Sequence, residues 1–226
     1  MDNTLWHYGD SFGTWYNDAE PERSSKKGFT EYIAEHFNLN FKHRAEGGIS
    51  NTQILSRIIY DYNKFKPNDF IIINWTFFSR TPIIIKPFHN NNITTICFGD
   101  NTFKSISNEK LSRDYLNHNI ITRSDFQEEE WNLLFWSFLK PTMENLKAIG
   151  VKVYISFNNN VLNDKSVDIQ RRLTHGIDIG NVFTYDYIGL LNLYDFFTKE
   201  DEDVHYKFGV QDKVAEHWIT FIESNE

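Results

Sequence analysis

One run narrows the choice of fold more than any other: Asp69-Phe70-Ile71-Ile72-Ile73-Asn74-Trp75. Its apolar stretch is too short for a helix, and its β-branched isoleucines favour a strand. It is also unbroken, without the alternation of a strand that turns one face to water. A strand of this kind belongs inside a parallel sheet covered on both faces, the arrangement of α/β proteins.

The flanking sequence supplies the covering layers. Thr4 to Tyr8 reads as a first strand ending at Gly9, and Asn40 to Arg44 as a short second one. Between them Phe29, Tyr32, Ile33 and Phe37 recur at helical spacing within Gly28 to Phe37. The loop Gly47-Gly48-Ile49-Ser50-Asn51 ends in helix-capping residues, and Ile54 to Tyr62 follows as a helix. Glu128 to Ile149 forms a long helix, broken or kinked near Pro141 and stopped by Gly150. Val151 to Phe157 is a further strand, Asn181 to Tyr185 a shorter last one, and Val210 to Ile222 a closing amphipathic helix. Thr81 to Arg123, rich in Asn, Ser and Thr, reads as an insertion or cap near the site. A chain of 226 residues suffices for one well-buried core and is short for two, so residues 1–226 are expected to form a single domain.

Charge and cysteine use exclude several functions. The formal net charge is -8, and Lys26-Lys27 and Arg171-Arg172 are isolated basic pairs rather than a stripe. No nucleic-acid partner is expected of such a surface, nor an anionic membrane. Cys97 is the single cysteine, so no intramolecular disulfide can form. The opening Met1-Asp2-Asn3-Thr4-Leu5-Trp6 lacks the basic and apolar regions of a signal peptide. The longest apolar runs, Phe70 to Ile73 and Pro82 to Ile85, are strand-sized and do not span a membrane. The expected location is cytoplasmic or within a particle assembled in a cell, and the sequence carries no sign of oligomeric state.

The chemistry concentrates at the two ends. Trp6-His7-Tyr8-Gly9-Asp10-Ser11-Phe12-Gly13 closes the first strand with a glycine that permits a sharp turn. Such a turn presents the Ser11 hydroxyl in the crevice beyond the carboxyl ends of the sheet, where open α/β folds bind ligands. The letters also satisfy G-x-S-x-G, but the α/β-hydrolase elbow follows several strands and here only one precedes it. An ordinary turn with Asp10 and Ser11 as capping groups fits the same residues. Asp203-Val204-His205, just before the last helix, sets an acid two positions from an imidazole. A serine hydroxyl needs a neighbouring base, and that base needs an orienting acid. The pair fits that need, and it fits helix capping as well.

Taken together, these blocks resemble the GDSL/SGNH hydrolase family of serine esterases and lipases. Gly9-Asp10-Ser11-Phe12 is similar to the family's nucleophile block, Gly48-Ile49-Ser50-Asn51-Thr52 to its second block, and Asp203-Val204-His205 with Gly209 to its last. The resemblance implies a three-layer α/β/α sandwich whose central parallel sheet has about five strands, in the flavodoxin-like manner. It implies Ser11 as nucleophile, His205 as general base and Asp203 as its orienting acid. It also implies an oxyanion hole of the Ser11 N–H, the N–H of Gly48 or Asn51, and a side chain near Asn74. No cofactor and no metal are called for.

The chain departs from the family in three places. The third block, Gly-x-Asn-Asp, is missing, and Asn74-Trp75-Thr76-Phe77-Phe78-Ser79-Arg80 stands in its position. Asn74 lies earlier than the usual asparagine, so Thr76, Ser79 or Arg80 are the other candidate donors. Arg80 equally fits a substrate carboxylate or, first in order, a surface ion pair. The second block usually has glycine near Asn51. The last usually places its acid three residues before the histidine, which is Glu202 in this chain. Asp201, Glu202, Asp203 and His205 lack a second ligand pair at zinc-type spacing, and acidic clusters before helices are ordinarily solvated. His7, His36, His43 and His217 are spare, with His7 near enough to Ser11 to line a pocket.

The function expected is hydrolysis of a short acyl ester, such as an O-acetylated carbohydrate. Asp10, Trp75, Thr76 and Arg80 are the candidate substrate contacts. Trp6, Trp15 and Trp75 are either sugar-stacking rings or core packing. The altered third block keeps open a non-catalytic binding or structural protein that retains the fold. Acyl transfer to an acceptor other than water could use the same residues.

Overall fold

The computed structural model describes residues 3–10, 27–46, 49–76, 80–83, 94–97, 124–157, 181–183 and 211–226. Seven strands and four α-helices occur among them: β1 (Thr4–Gly9), α1 (Phe29–His36), β2 (Asn40–His43), α2 (Asn51–Asp61), β3 (Phe70–Trp75), β4 (Arg80–Ile83), β5 (Thr94–Cys97), α3 (Ser124–Ile149), β6 (Lys152–Phe157), β7 (Asn181–Phe183) and α4 (Gln211–Glu223). Five strands form one sheet in the order β2-β1-β3-β6-β7. Every pairing in it is parallel. This is the flavodoxin-like order, with the strand sequence reversing between β1 and β3.

The run from Phe70 to Trp75 lies at the centre of the sheet, as β3. Ile71, Ile73 and Trp75 point to one side of the sheet and meet Ile54, Leu55 and Ile58 of α2 and Phe135, Leu139, Met143 and Leu146 of α3. Phe70 and Ile72 point to the other side and meet Phe29 and Ile33 of α1 and Val214, Trp218 and Ile222 of α4. Helices therefore cover both faces, which is why β3 needs no polar alternation. The result is the three-layer α/β/α sandwich expected.

Local signals set the helix ends. Ser50 caps α2: its hydroxyl accepts the Gln53 N–H at 3.3 Å and Gln53 Oε1 accepts the Ser50 N–H at 2.9 Å. Glu31 reaches back to the Gly28 N–H at the start of α1, at 2.7 Å. Gly150 ends α3 at φ 85, a left-handed conformation that glycine adopts without a Cβ clash.

One expectation needs correction. Helix α3 begins at Ser124, earlier than Glu128, and continues through Pro141 without a break. Proline removes one backbone donor and crowds the preceding turn, but Ser137, Lys140 and Pro141 all lie on the exposed side of the helix, where the ring has room. From the residue before the expected insertion, β4 and β5 form a separate antiparallel pair, Arg80 opposite Cys97 and Ile83 opposite Thr94. Residues 84–93 and 98–123 lie outside the described residues. No helix among the described residues is long and apolar enough to cross a membrane.

Candidate active site

The carboxyl ends of β1, β3 and β6 meet the amino ends of three helices along one rim. Gly9 of β1 pairs with Asn74 of β3, and Asn74 with Ser156 of β6. A Cβ on Gly9 would come within 3.1 Å of the Asn74 Cβ and 3.2 Å of its carbonyl oxygen. A side chain at position 9 would therefore crowd β3, and Gly9 suits its close approach.

On the α2 side of the sheet, Asp10, Asn51 and Thr76 form a buried chain. Their exposures are 1%, 4% and 1%. Thr76 Oγ1 donates to Asp10 Oδ2 at 2.5 Å. Asn51 takes both backbone groups of Thr76: its Oδ1 accepts the Thr76 N–H at 2.8 Å, and its Nδ2 donates to the Thr76 carbonyl at 3.1 Å. The Thr76 hydroxyl hydrogen is therefore committed to Asp10, and the Asn51 carboxamide to Thr76.

On the α1 side a second chain crosses three strands. His7 is fully buried, its Nδ1 facing the Thr30 hydroxyl at 3.2 Å and its Nε2 facing Asn74 Oδ1 at 2.7 Å. Asn74 Nδ2 donates to Ser156 Oγ at 2.6 Å. The arrangement fits a neutral imidazole with its proton on Nε2, accepting from Thr30 and donating to Asn74. Burial first, and then His43 nearby, push the His7 pKa down to about 3, against the Asn74 hydrogen bond. His7 is a buried neutral support behind the site and not an acid-base group at neutral pH.

The amino ends of α1 and α4 are tied together across the sequence. Gln211, the first residue of α4, accepts the Phe29 N–H on its Oε1 at 3.0 Å. The segment carrying Asp203 and His205 ends at Gln211, and the segment carrying Ser11 ends at α1.

Several expected site residues, Ser11, Gly48, Ser79, Glu202, Asp203 and His205, lie outside the described residues, as does Trp15. Arg80 is placed as the first residue of β4. Asp10, Asn51, Asn74 and Thr76 are brought to the rim. Trp6 and Trp75 take the other role left open to them: they are 5% and 1% exposed, with Trp75 edge-on to Phe135 at 4.9 Å. Neither ring presents a face to a sugar. Ser156, Thr30 and Gln211 were not singled out from sequence. A serine inside the buried strand Lys152–Phe157 was the one available signal, a polar residue in an apolar run. Among the described residues no group of three or more His, Cys, Asp or Glu could hold a metal ion.

No protein-family model matches the chain, and no curated protein matches it. Solved structures do. A psychrotrophic esterase, EstA from Pseudoalteromonas sp., matches over 99% of this chain and 98% of its own, with TM-score 0.55 and 10% identity. A protein of the lipolytic G-D-S-L family from Desulfitobacterium hafniense matches over 97% and 99%, with TM-score 0.52 and 11% identity. A Bacillus subtilis protein, YXIM, matches over 99% of this chain with TM-score 0.55 and 13% identity, and this chain spans only 57% of its length. The fold is that of the GDSL/SGNH hydrolases. At these identities the likeness is one of fold.

Proposed function

We propose that this chain is a serine-dependent ester hydrolase acting on a short acyl ester. The observation that carries the reading is the buried Asp10, held by Thr76 at the carboxyl end of the inner strand β1, with Ser11 as the next residue. That is the crevice where α/β sheets of this order bind ligands. The Gln211–Phe29 bond supports the pairing of the two chain ends, because it closes both flanking segments at one rim.

In this mechanism His205 takes the Ser11 Oγ proton as the oxygen bonds to the ester carbonyl carbon. Asp203 holds the imidazole and favours the imidazolium that forms. The oxyanion is met by the backbone N–H of Ser11 and that of Gly48 or Asn51. The second Nδ2 hydrogen of Asn74 is the side-chain donor, the first being on Ser156. The imidazolium protonates the departing alkoxide. Water then attacks the acyl-enzyme with His205 as base, releasing the acid and restoring Ser11. With Trp6 and Trp75 in the core, the carbohydrate form of the substrate rests on Trp15 alone. Arg80 is a candidate contact for an anionic substrate.

The test is hydrolysis of p-nitrophenyl acetate by the purified chain and by Ser11→Ala, which should lose on the order of 10³-fold or more in kcat. Parental activity in Ser11→Ala would overturn the assignment. A second reading, a non-catalytic protein on the same fold, is favoured by the commitment of the Thr76 hydroxyl to Asp10 and by the bonds of the Asn74 carboxamide to His7 and Ser156, which leave it a single N–H for an oxyanion. Labelling by a fluorophosphonate separates the two, since only an activated Ser11 reacts. EstA, of the same fold, has a structure inhibited by monoethylphosphonate.

A further inference from the structure

We infer that Asn51 and Thr76 are positioning residues that set the spacing of the oxyanion donors, an inference that rests on the hydrolase reading above. One short chain of contacts links Asn51, which carries one proposed donor, to Asp10, the residue before the other. The Ser11 N–H follows directly after Asp10, whose Oδ2 is held by Thr76 Oγ1 at 2.5 Å. The other donor, the Asn51 N–H, lies in the first turn of α2, where backbone N–H groups have no partner within the helix. The Asn51 side chain then closes the circuit by gripping Thr76 at 2.8 and 3.1 Å.

The grip resembles one more rung of a β-ladder. Strand β3 ends at Trp75, so the Thr76 backbone lies beyond the sheet's own pairing. The Asn51 carboxamide supplies a donor and an acceptor in place of a neighbouring strand. Ser50 fixes the turn from which Asn51 projects, through its reciprocal bonds with Gln53. Because all three linked side chains are buried, water offers them no substitute partners.

This contact also joins two departures from the family pattern. Glycine is usual near position 51, and Thr76 lies in the Asn74 to Arg80 stretch that stands in place of the third block. A glycine at 51 would have no side chain to reach Thr76. The altered third block and the asparagine in the second are therefore two halves of one contact. Two donors must lie within hydrogen-bonding distance of the same oxygen, and a misplacement of about 1 Å can cost about 10²-fold in rate. Loss of the contact should accordingly lower kcat and leave ground-state binding nearly intact.

The experiment measures kcat and KM for p-nitrophenyl acetate, fluorophosphonate labelling and thermal melting in the full chain. The proteins compared are the parent, Thr76→Val, Thr76→Ser, Asn51→Gly and the Thr76→Val/Asn51→Gly double variant. Each single loss of contact should lower kcat by about 10- to 100-fold with KM within about 3-fold, and slow labelling in parallel. Thr76→Ser, which keeps the hydroxyl, should return kcat to within about 3-fold of the parent, and the double variant should lose little more than the worse single one. A folded Thr76→Val or Asn51→Gly protein with parental kcat overturns the inference and leaves the hydrolase standing. So does a loss that Thr76→Ser fails to restore, or two losses that multiply. Should Thr76→Val not fold, Asn51→Gly carries the same decision. A parent chain that neither hydrolyses the ester nor labels at Ser11 fails the hydrolase reading, and the positioning role falls with it.

Discussion

His7 shows how a residue type that suggests catalysis can be made inert by its surroundings. Its ring is enclosed by Phe29 and His43 at centroid distances of 5.6 and 5.3 Å, and both nitrogens have neutral partners. Burial leads the causes that hold its pKa at about 3, below the ordinary 6.5 of a histidine in the unfolded chain. Between those two values the unfolded chain binds a proton that the folded chain refuses, so unfolding gains as pH falls. The contribution of His7 to stability is intact above pH 6.5 and declines by roughly 1.4 kcal/mol per unit below it, until about pH 3. Urea unfolding at pH 7.5 and pH 5.5 should show the difference, and His7→Gln should flatten it by roughly 1.4 kcal/mol. An unchanged slope in that variant would mean that His7 protonates freely in the folded state. Tyr8, the next residue, faces the opposite side and donates to Asp61 at 3.0 Å. There burial pushes the Asp61 carboxyl up, but Lys64, Tyr8 and Arg44 outweigh it and hold it below its ordinary value. Neighbouring positions on one strand thus hold a neutral and an ionic network apart by the thickness of the sheet.

At the scale of elements, the end of α3 is the sharpest junction. Gly150 donates to the Lys147 carbonyl at 3.0 Å and Val151 to that of Leu146 at 3.2 Å, the paired bonds of a Schellman motif. The chain then turns directly into β6. A Cβ at Gly150 would meet Pro67 at 3.6 Å, which is ordinary contact, so space is not the obstacle. The obstacle is φ 85. Gly150→Ala should cost about 1–2 kcal/mol and lower the melting temperature by about 2–8 °C. Gly150→Asn should cost less, because asparagine tolerates this region, as Asn38 and Asn68 do at φ 51 and 67. Equal losses in both variants would point to crowding rather than backbone strain. This stop was legible in sequence, as were the Ser50 cap and the β3 run, because each is a pattern of near neighbours. Asn51 with Thr76 was not, nor His7 with Asn74. Those pairs lie 25 and 67 residues apart, and only the folded sheet makes them neighbours. Pro141 misled for a related reason: the residue type suggests a break, whereas exposure of that side of the helix lets it pass.

Over the whole molecule, the order β2-β1-β3-β6-β7 makes the first strand an inner one and brings α1 and α4 side by side over one face. Phe29 stacks on Trp218 at 6.3 Å, and His36 pairs with Glu223 at 2.9 Å near the far ends of the same two helices. The last sixteen residues of the chain therefore complete the core begun by the first strand, and the Phe29–Gln211 bond, 182 residues apart in sequence, is the point where that closure reaches the rim. If the closing segment delivers His205 to Ser11, this bond fixes the segment's downstream end. Gln211→Ala should then cost about 1–3 kcal/mol of stability, the usual result of removing the acceptor of a buried N–H. Its kcat for p-nitrophenyl acetate should also fall, by about 10-fold or more, because small displacements of a general base are costly. Gln211→Glu keeps the accepting oxygen and should recover most of the rate. Measured well below the melting temperature, a rate that merely follows the fraction folded would show that the helix pair closes the core without governing the site.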